Sequence, residues 1–200
     1  MGINQFNSIA PYYDFLSRLV FGKKILESQI HFIKKIKKND NILILGGGTG
    51  HLLSYFPKGS QIDYLEKSEK MIQYAEKRKR GLSIRFLHFD FLRFKSDHRY
   101  TVVICPFFLD CFRLKNLNLA IEKIKSLLQP HGLLIVTDFE KSQTNKPLSF
   151  FMHLFFKLFV NLESKNLKSI HLIISKEGFR VTDEKFFYRK MIFSRVYRNL

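Results

Sequence analysis

From Asn41 to Phe139 short apolar runs alternate with longer amphipathic stretches, a rhythm that predicts strands separated by helices. The apolar runs are residues 42–45, "QIDYLE" at 61–66, "SIRFLHFD" at 83–90, "YTVVICPFF" at 100–108 and "LLIVTDF" at 133–139. Between them lie a short predicted helix at about 50–56, "SEKMIQYAEKRKR" with Ser68 as its N-cap, and a helix over 115–128 closed by "QPHG". Ahead of the first strand, residues 1–20 read as a helical leader. Residues 22–39 read as one amphipathic helix, with Ile25, Leu26, Ile30, Phe32, Ile33 and Ile36 mostly on one face. Past residue 140 the rhythm changes to a phenylalanine-rich helix at 147–161 and a helix near 165–177 ended by Gly178. Two strand-like segments follow, "FRVTDEKFF" and "KMIFSRVYR". The pattern predicts one α/β domain over residues 1–200, a doubly wound, mostly parallel sheet. Within it, 1–40 is a leader or lid, 41–140 the core, and 141–200 a set of added helices and final strands.

The core's first turn is "ILILGGGTG", which places Gly46, Gly47, Gly48 and Gly50 directly after a buried strand. Such a turn lets a nucleotide approach the backbone at the carboxyl edge of the sheet. The dinucleotide spacing GxGxxG would need glycine at 51, which is His51; the spacing that fits is GxGxG at Gly46, Gly48 and Gly50. Glu66 ends the second strand 20 residues after Gly46, where a carboxylate takes both ribose hydroxyls. Asp90 ends the third, placed to accept from an adenine amino group. Three consecutive strand ends therefore converge on an adenosyl pocket.

Charge adds a second theme. The chain has 34 basic and 17 acidic side chains, a formal charge of +17, and its lysines are spread along the whole length. Such a field favours anionic partners: nucleic acid, acidic lipid surfaces or charged metabolites. Two cysteines, Cys105 and Cys111, build no disulfide framework and no CxxC metal pair, which fits a reducing, cytoplasmic setting and no metal site. No basic region followed by an apolar run opens the chain as a signal peptide would, and "PLSFFMHLFFKLFV" is broken by His153 and Lys157 and too short to span a bilayer.

The set of motifs resembles a class I S-adenosylmethionine-dependent methyltransferase. "ILILGGGTG", "YLEKSEKMIQYA", "FLHFDF", "YTVVICPFF" and "LLQPHGLLIVTDF" match that family's successive motifs over roughly residues 41–140. "FNSIAPYYDFLSRLVFG" resembles the amino-terminal segment of ubiquinone/menaquinone-biosynthesis C-methyltransferases and their small-molecule relatives. The resemblance implies a Rossmann-like methyltransferase fold, a seven-stranded sheet with the last strand antiparallel, and S-adenosyl-L-methionine as cofactor. It gives Gly46, Gly48 and Gly50 the methionine and ribose approach and Glu66 the ribose hydroxyls. It sets Met71 beside the adenine, Asp90 with Phe91 against the adenine ring, and Pro106 along the methyl-transfer site. Tyr13 and Asp14 match a "YD" pair that helps cover the cofactor, and Tyr13 joins the catalytic candidates. One departure stands out: the family usually has an acidic residue two positions before the first glycine, and this chain has Ile44.

The acceptor must be nucleophilic where the methyl arrives, so a base is expected nearby. Asp110 in "PFFLDCF" ranks first as the catalytic residue, with His88 and Asp138 in "VTDF" as further candidates; His88 is expected rather to be buried or on the opposite strand face. Cys105 precedes Pro106, the reverse of the cytosine-carbon methylases, and reads as a buried strand residue. Phe150, Phe151, Leu154, Phe155, Phe156, Leu158 and Phe159 ring their helix and suit core packing, an apolar acceptor pocket or peripheral contact with an anionic membrane at the inner face. A methyltransferase for a small apolar or aromatic acceptor is the leading expectation. A nucleic-acid methyltransferase and a non-catalytic S-adenosylmethionine-binding protein are the alternatives. Acceptor identity, the atom methylated and oligomeric state stay open.

Overall fold

A computed structural model describes residues 22–140 and 170–200. The leader with Tyr13 and Asp14 and the helix expected at 147–161 lie outside those residues. Seven strands form one sheet: β1 (Asn41–Leu45), β2 (Gln61–Glu66), β3 (Ser83–His88), β4 (Tyr100–Pro106), β5 (Leu128–Phe139), β6 (Phe179–Phe187) and β7 (Ile192–Asn199). Their order is β3-β2-β1-β4-β5-β7-β6. The pairs from β3 to β5 are parallel, while β7 runs antiparallel to both β5 and β6. The doubly wound expectation holds, including the antiparallel last strand.

Strand β1 shows why its apolar run is unbroken. Leu43 and Leu45 face one core layer with Ile121, Ile124 and Ile174; Ile42 and Ile44 face the other with Leu52, Leu53 and Tyr64. A central parallel strand is covered on both sides, so period-two alternation selects which layer a side chain enters rather than core or solvent. The first layer is covered by α3 (Leu114–Leu127) and α4 (Ile170–Lys176). The second is closed by α1 (Lys24–Ile30) with the residues after it, and α2 (Glu69–Glu76) contributes Ala75 there.

Several elements differ from the sequence expectation in extent. The helix expected at 22–39 is α1 followed by a separate 3-10 turn at Ile33–Lys35, after which Ile36 turns extended with ψ 130°. Phe32, Ile33 and Ile36 are all buried, and the chain straightens there to enter β1. The helix expected at 50–56 is a 3-10 turn over His51–Tyr55. Gly50 starts it at φ +78°, and Phe56 ends it in the extended region that a following proline, Pro57, imposes. "QPHG" is drawn into β5 as an irregularity with His131 at φ +62°. His88 is exposed, which corrects the expectation of burial: it is the last residue of β3 and its Nε2 lies 3.0 Å from the Lys67 carbonyl.

At the far edge, the guanidinium of Arg195 on β7 lies 4.3 Å from the Phe193 ring centroid. It donates to Glu140 at the end of β5 (2.8 Å) and to Glu184 on β6. Thr137 donates to the Ser28 carbonyl at 3.2 Å, fixing α1 over the carboxyl end of β5.

Candidate functional site: the carboxyl ends of β1 to β5

Gly46, Gly48 and Gly50 all sit at positive φ (+65°, +62° and +78°), a region where a side chain is strained. Their surroundings differ. A Cβ on Gly46 would lie 2.6 Å from the Phe108 ring and one on Gly50 2.8 Å from Ala75 of α2, whereas one on Gly48 would meet nothing within 4 Å. The first and last glycines allow close packing; the middle one leaves backbone open to a ligand. Gly47 would place a Cβ 2.4 Å from the Tyr64 hydroxyl and ring. That hydroxyl donates to the Gly48 carbonyl at 2.9 Å, while the Gly48 amide donates to Glu66 Oε2 at 3.2 Å. The middle glycine is held at both of its polar atoms.

Ile44 stands opposite Tyr64 in the β1–β2 register and is fully buried. With an aliphatic residue at 44, the polar anchor on that face is Tyr64, one strand over. Sequence reasoning passed over Tyr64 because it reads as another apolar position of β2; its alternation with Ile62 on one face was the only available signal.

Glu66 Oε1 also accepts from the amides of Lys67 (2.8 Å) and Ser68 (2.9 Å). Burial raises its pKa despite these three amides. Ser68 caps α2 as expected, accepting from the Met71 amide at 3.3 Å. Asp90 accepts from Lys67 Nζ at 2.7 Å and from the Leu92 amide at 3.0 Å. Burial works to raise Asp90, but the lysine and the amide outweigh it and hold it below the usual carboxylate range. Glu66 and Asp90 thus stand at adjacent strand ends with Lys67 reaching across between them. Met71 and Phe91 are both buried. The Phe91 ring stands edge-on to Phe108 at 5.7 Å, with Lys123 Nζ 5.3 Å from its centroid.

On β4, Pro106 is buried and Phe107 follows at φ +52°. A bulky residue there marks strain at the strand end. It is held by its amide to the Thr137 carbonyl at 2.7 Å and by its ring 4.9 Å from that of Phe139. The chain then forms a 3-10 turn, Leu109–Cys111. The Asp110 amide donates to Asp138 Oδ2 at 3.1 Å, which sets the Asp138 carboxyl beside Asp110. Burial pushes both upward, Asp110 to about 6, and repulsion from Asp110 raises Asp138 further. The Cys111 thiol, 3.5 Å from Asp110 Oδ1, is pushed up by burial and by these carboxylates. Cys105 is buried within β4 and raised by burial, as its place in an apolar strand leads one to expect.

Gly46, Gly48, Gly50, Glu66 and Asp90 therefore share one edge of the sheet with Pro106, Asp110 and Asp138. Among the described residues no three His, Cys, Asp or Glu side chains are arranged to hold a metal, and no helix is long and apolar enough to cross a membrane.

Residues 42–132 match the family model described as a methyltransferase domain. Demethylmenaquinone methyltransferase of Chlamydia muridarum (strain MoPn / Nigg) is 27% identical over 168 residues, 78% of this chain and 68% of that protein. Among solved structures, a Thermotoga maritima SAM-dependent methyltransferase, described as a possible histamine N-methyltransferase, is 16% identical. It superposes with TM-score 0.70 over 98% of this chain and 99% of its own. Magnesium protoporphyrin IX methyltransferase from Synechocystis PCC 6803, solved with bound SAH, is 15% identical with TM-score 0.69, over 98% and 95%. At these identities the likeness to solved structures is one of fold, and it is the Rossmann-like fold of class I SAM-dependent methyltransferases.

Proposed function

We propose that the chain is an S-adenosylmethionine-dependent methyltransferase that moves the methyl group in line onto a small apolar or aromatic acceptor. The observation that carries this reading is the Gly48–Glu66 pairing. A glycine with open space beside it is fixed by its amide to the one carboxylate placed for a ribose diol, at the carboxyl edge where a doubly wound sheet binds nucleotides. The turn admits the methionine end, Glu66 accepts from the ribose hydroxyls, and Asp90 accepts from the adenine amino group with Met71 and Phe91 behind it. The bound sulfonium supplies an activated methyl group. Pro106 and Asp110 then bound the place where the acceptor is aligned, and orientation of this kind is worth about 7–11 kcal/mol. The named activity of the C. muridarum relative and the bound SAH of the Synechocystis structure support the reading. A lipophilic acceptor drawn from an anionic membrane surface at the cytoplasmic face is consistent with the +17 charge.

The deciding experiment is calorimetric titration with S-adenosylhomocysteine. Micromolar binding is expected, and Glu66→Ala weakens it by about a hundredfold or more, through loss of two charge-assisted hydrogen bonds. A protein that ignores the ligand at millimolar concentration refutes the proposal. One observation favours a second reading. Ile44 is buried where methyltransferases carry an acid, which suits a protein that binds the cofactor without turnover. Transfer of a labelled methyl group to any component of a cell extract eliminates it.

A further inference from the structure

The strands β4 and β5 run parallel with Cys105 opposite Val136 and Pro106 opposite Thr137. That register carries Asp110, just past β4, onto Asp138 near the end of β5. Asp138 is fully buried, whereas Asp110 keeps partial exposure. Asp138 Oδ1 accepts the Phe139 amide at 2.8 Å and Oδ2 accepts the Asp110 amide at 3.1 Å. With Oδ2 on the Asp110 amide, the buried Asp138 carboxyl lies beside the Asp110 side chain. Two carboxylates held next to each other inside a protein cannot both be ionised. The deeper one, Asp138, is the donor, and Asp110 is the partner whose residue keeps partial exposure. The other titratable groups around the pair are the neutral thiols of Cys105 and Cys111 and, further off, Glu66.

The pair sits against the cofactor turn rather than at a distance from it. Phe108, two residues before Asp110, has its ring on Gly46. Phe107, one residue earlier, is held at positive φ, so the whole Pro106–Asp110 segment is set by strain and packing toward the glycines.

Resting on the function proposed above, we infer that Asp110 and Asp138 form a one-proton carboxyl dyad that takes up the proton released by the methyl acceptor. Asp110 touches the acceptor, and Asp138 is a positioning residue acting through it. The step balances. The acceptor's lone pair, or the electrons of its breaking X–H bond, form the bond to the methyl carbon. The carbon–sulfur pair stays on sulfur, which becomes a neutral thioether, and the proton goes to Asp110. The dyad passes from one negative charge to none as the sulfonium passes from one positive charge to none. Both charges vanish together in a site of low polarity, where separated charge is costly. The acceptor class this predicts is one that must lose a proton: a hydroxyl, an N–H or an activated C–H, rather than a tertiary amine or thioether.

Infrared difference spectroscopy on the full chain tests the dyad without any acceptor. Near neutral pH the protein should show a protonated-carboxyl C=O band that Asp138→Asn removes, because the amide introduced by that substitution donates to Asp110 and leaves it ionised. Asp110→Asn should keep a shifted band, since the buried Asp138 stays protonated. A band unchanged in Asp138→Asn overturns the inference, as does its absence from the parent protein. Calorimetry with both cofactor forms supplies the second readout. Asp110→Asn should weaken S-adenosylmethionine about fivefold relative to S-adenosylhomocysteine, since only the former is cationic there. Equal weakening of both ligands overturns the dyad's charge pairing while leaving the methyltransferase reading intact. Failure of either ligand to bind the parent protein overturns both readings. Unchanged homocysteine-form affinity in both variants certifies that they fold.

Discussion

The proposed cofactor and acceptor ends of the site are built by opposite means from carboxyl side chains. At the cofactor end, Glu66 accepts from three backbone amides and Asp90 from one amide and a lysine. At the acceptor end, Asp138 also accepts from two amides, yet the decisive partner is another carboxyl group. Backbone donors fix a carboxylate as a permanent acceptor, which suits a ligand that only has to be held. A carboxyl partner sets the pair between two protonation states, which suits a group that has to gain a proton and give it up. Under the proposed function, the difference separates binding from chemistry along a single sheet edge.

Rigidity at the cofactor end is the first thing to break. Gly47→Ala would place a methyl group 2.4 Å from the buried Tyr64 ring and hydroxyl. The ring is enclosed by Ile44 and Phe86 and has no room to retreat. We expect a loss of about 2–3 kcal/mol in urea unfolding together with weakened S-adenosylhomocysteine binding. A variant as stable as the parent would mean that the turn is soft and that the ring yields. Gly48→Ala is the control: with nothing within 4 Å of the new methyl it meets only the cost of φ +62°, about 1 kcal/mol.

At the acceptor end the comparison predicts a pH dependence. The folded pair holds a proton that the unfolded chain releases at the ordinary aspartate value, about 4. Between that value and the raised folded value the native state binds more protons, so this pair's contribution to stability falls as pH rises and then levels off. Asp90 and Asp183, whose pKa values are lowered, act in the opposite sense and are common to parent and variant. Asp138→Asn should therefore flatten the decline relative to the parent, whatever offset in Tm follows from the one backbone amide it leaves without an acceptor. Parallel thermal melts across the acid range decide it: an equally steep fall in both proteins would show that the pair is not sharing a proton.

How far each end could be read beforehand follows from the same contrast. Glu66 and Asp90 are close in sequence to the turns that bind them, and their partners are amides of the next one or two residues, the Gly48 amide and, for Asp90, the Lys67 ammonium. Spacing from the glycines was enough. Asp110 and Asp138 are 28 residues apart and meet only because β4 and β5 pair in one register. Each was legible as a candidate base, but the shared proton was not, since a one-residue shift in that pairing would separate them. Phe107's positive φ was likewise hidden: the run "YTVVICPFF" reads as continuous strand, and only packing on Thr137 and Phe139 turns it. Tyr64 is the intermediate case. Its ring fits the apolar pattern of β2, and its hydroxyl bond is visible only once Ile44 is seen beside it.

Tyr64→Phe isolates that bond. It leaves the ring and removes only the donor to the Gly48 carbonyl, with an expected cost of about 1 kcal/mol. The loss should appear in S-adenosylhomocysteine affinity as well as in stability, because the bond orders the Gly48 turn. Equal affinity in the variant would return the ordering of the turn to Glu66 alone.

The smallest effect bears on whether the cofactor end is as open as its backbone donors suggest. Lys67 Nζ occupies Asp90 at 2.7 Å, and both side chains are more than a third exposed. An exposed pair of this kind contributes about 0–1 kcal/mol to folding, so Lys67→Met should leave stability nearly unchanged. Asp90, however, is the carboxylate assigned to the adenine amino group, and the ammonium competes for it. Freeing Asp90 should tighten S-adenosylhomocysteine by about threefold, roughly 0.7 kcal/mol, and reduce the salt dependence of binding. Weaker binding in the variant would reverse the assignment: Lys67 would then be a ligand-contacting residue whose stem covers the adenine face, and the cofactor end would carry a side chain that acts rather than only one that holds.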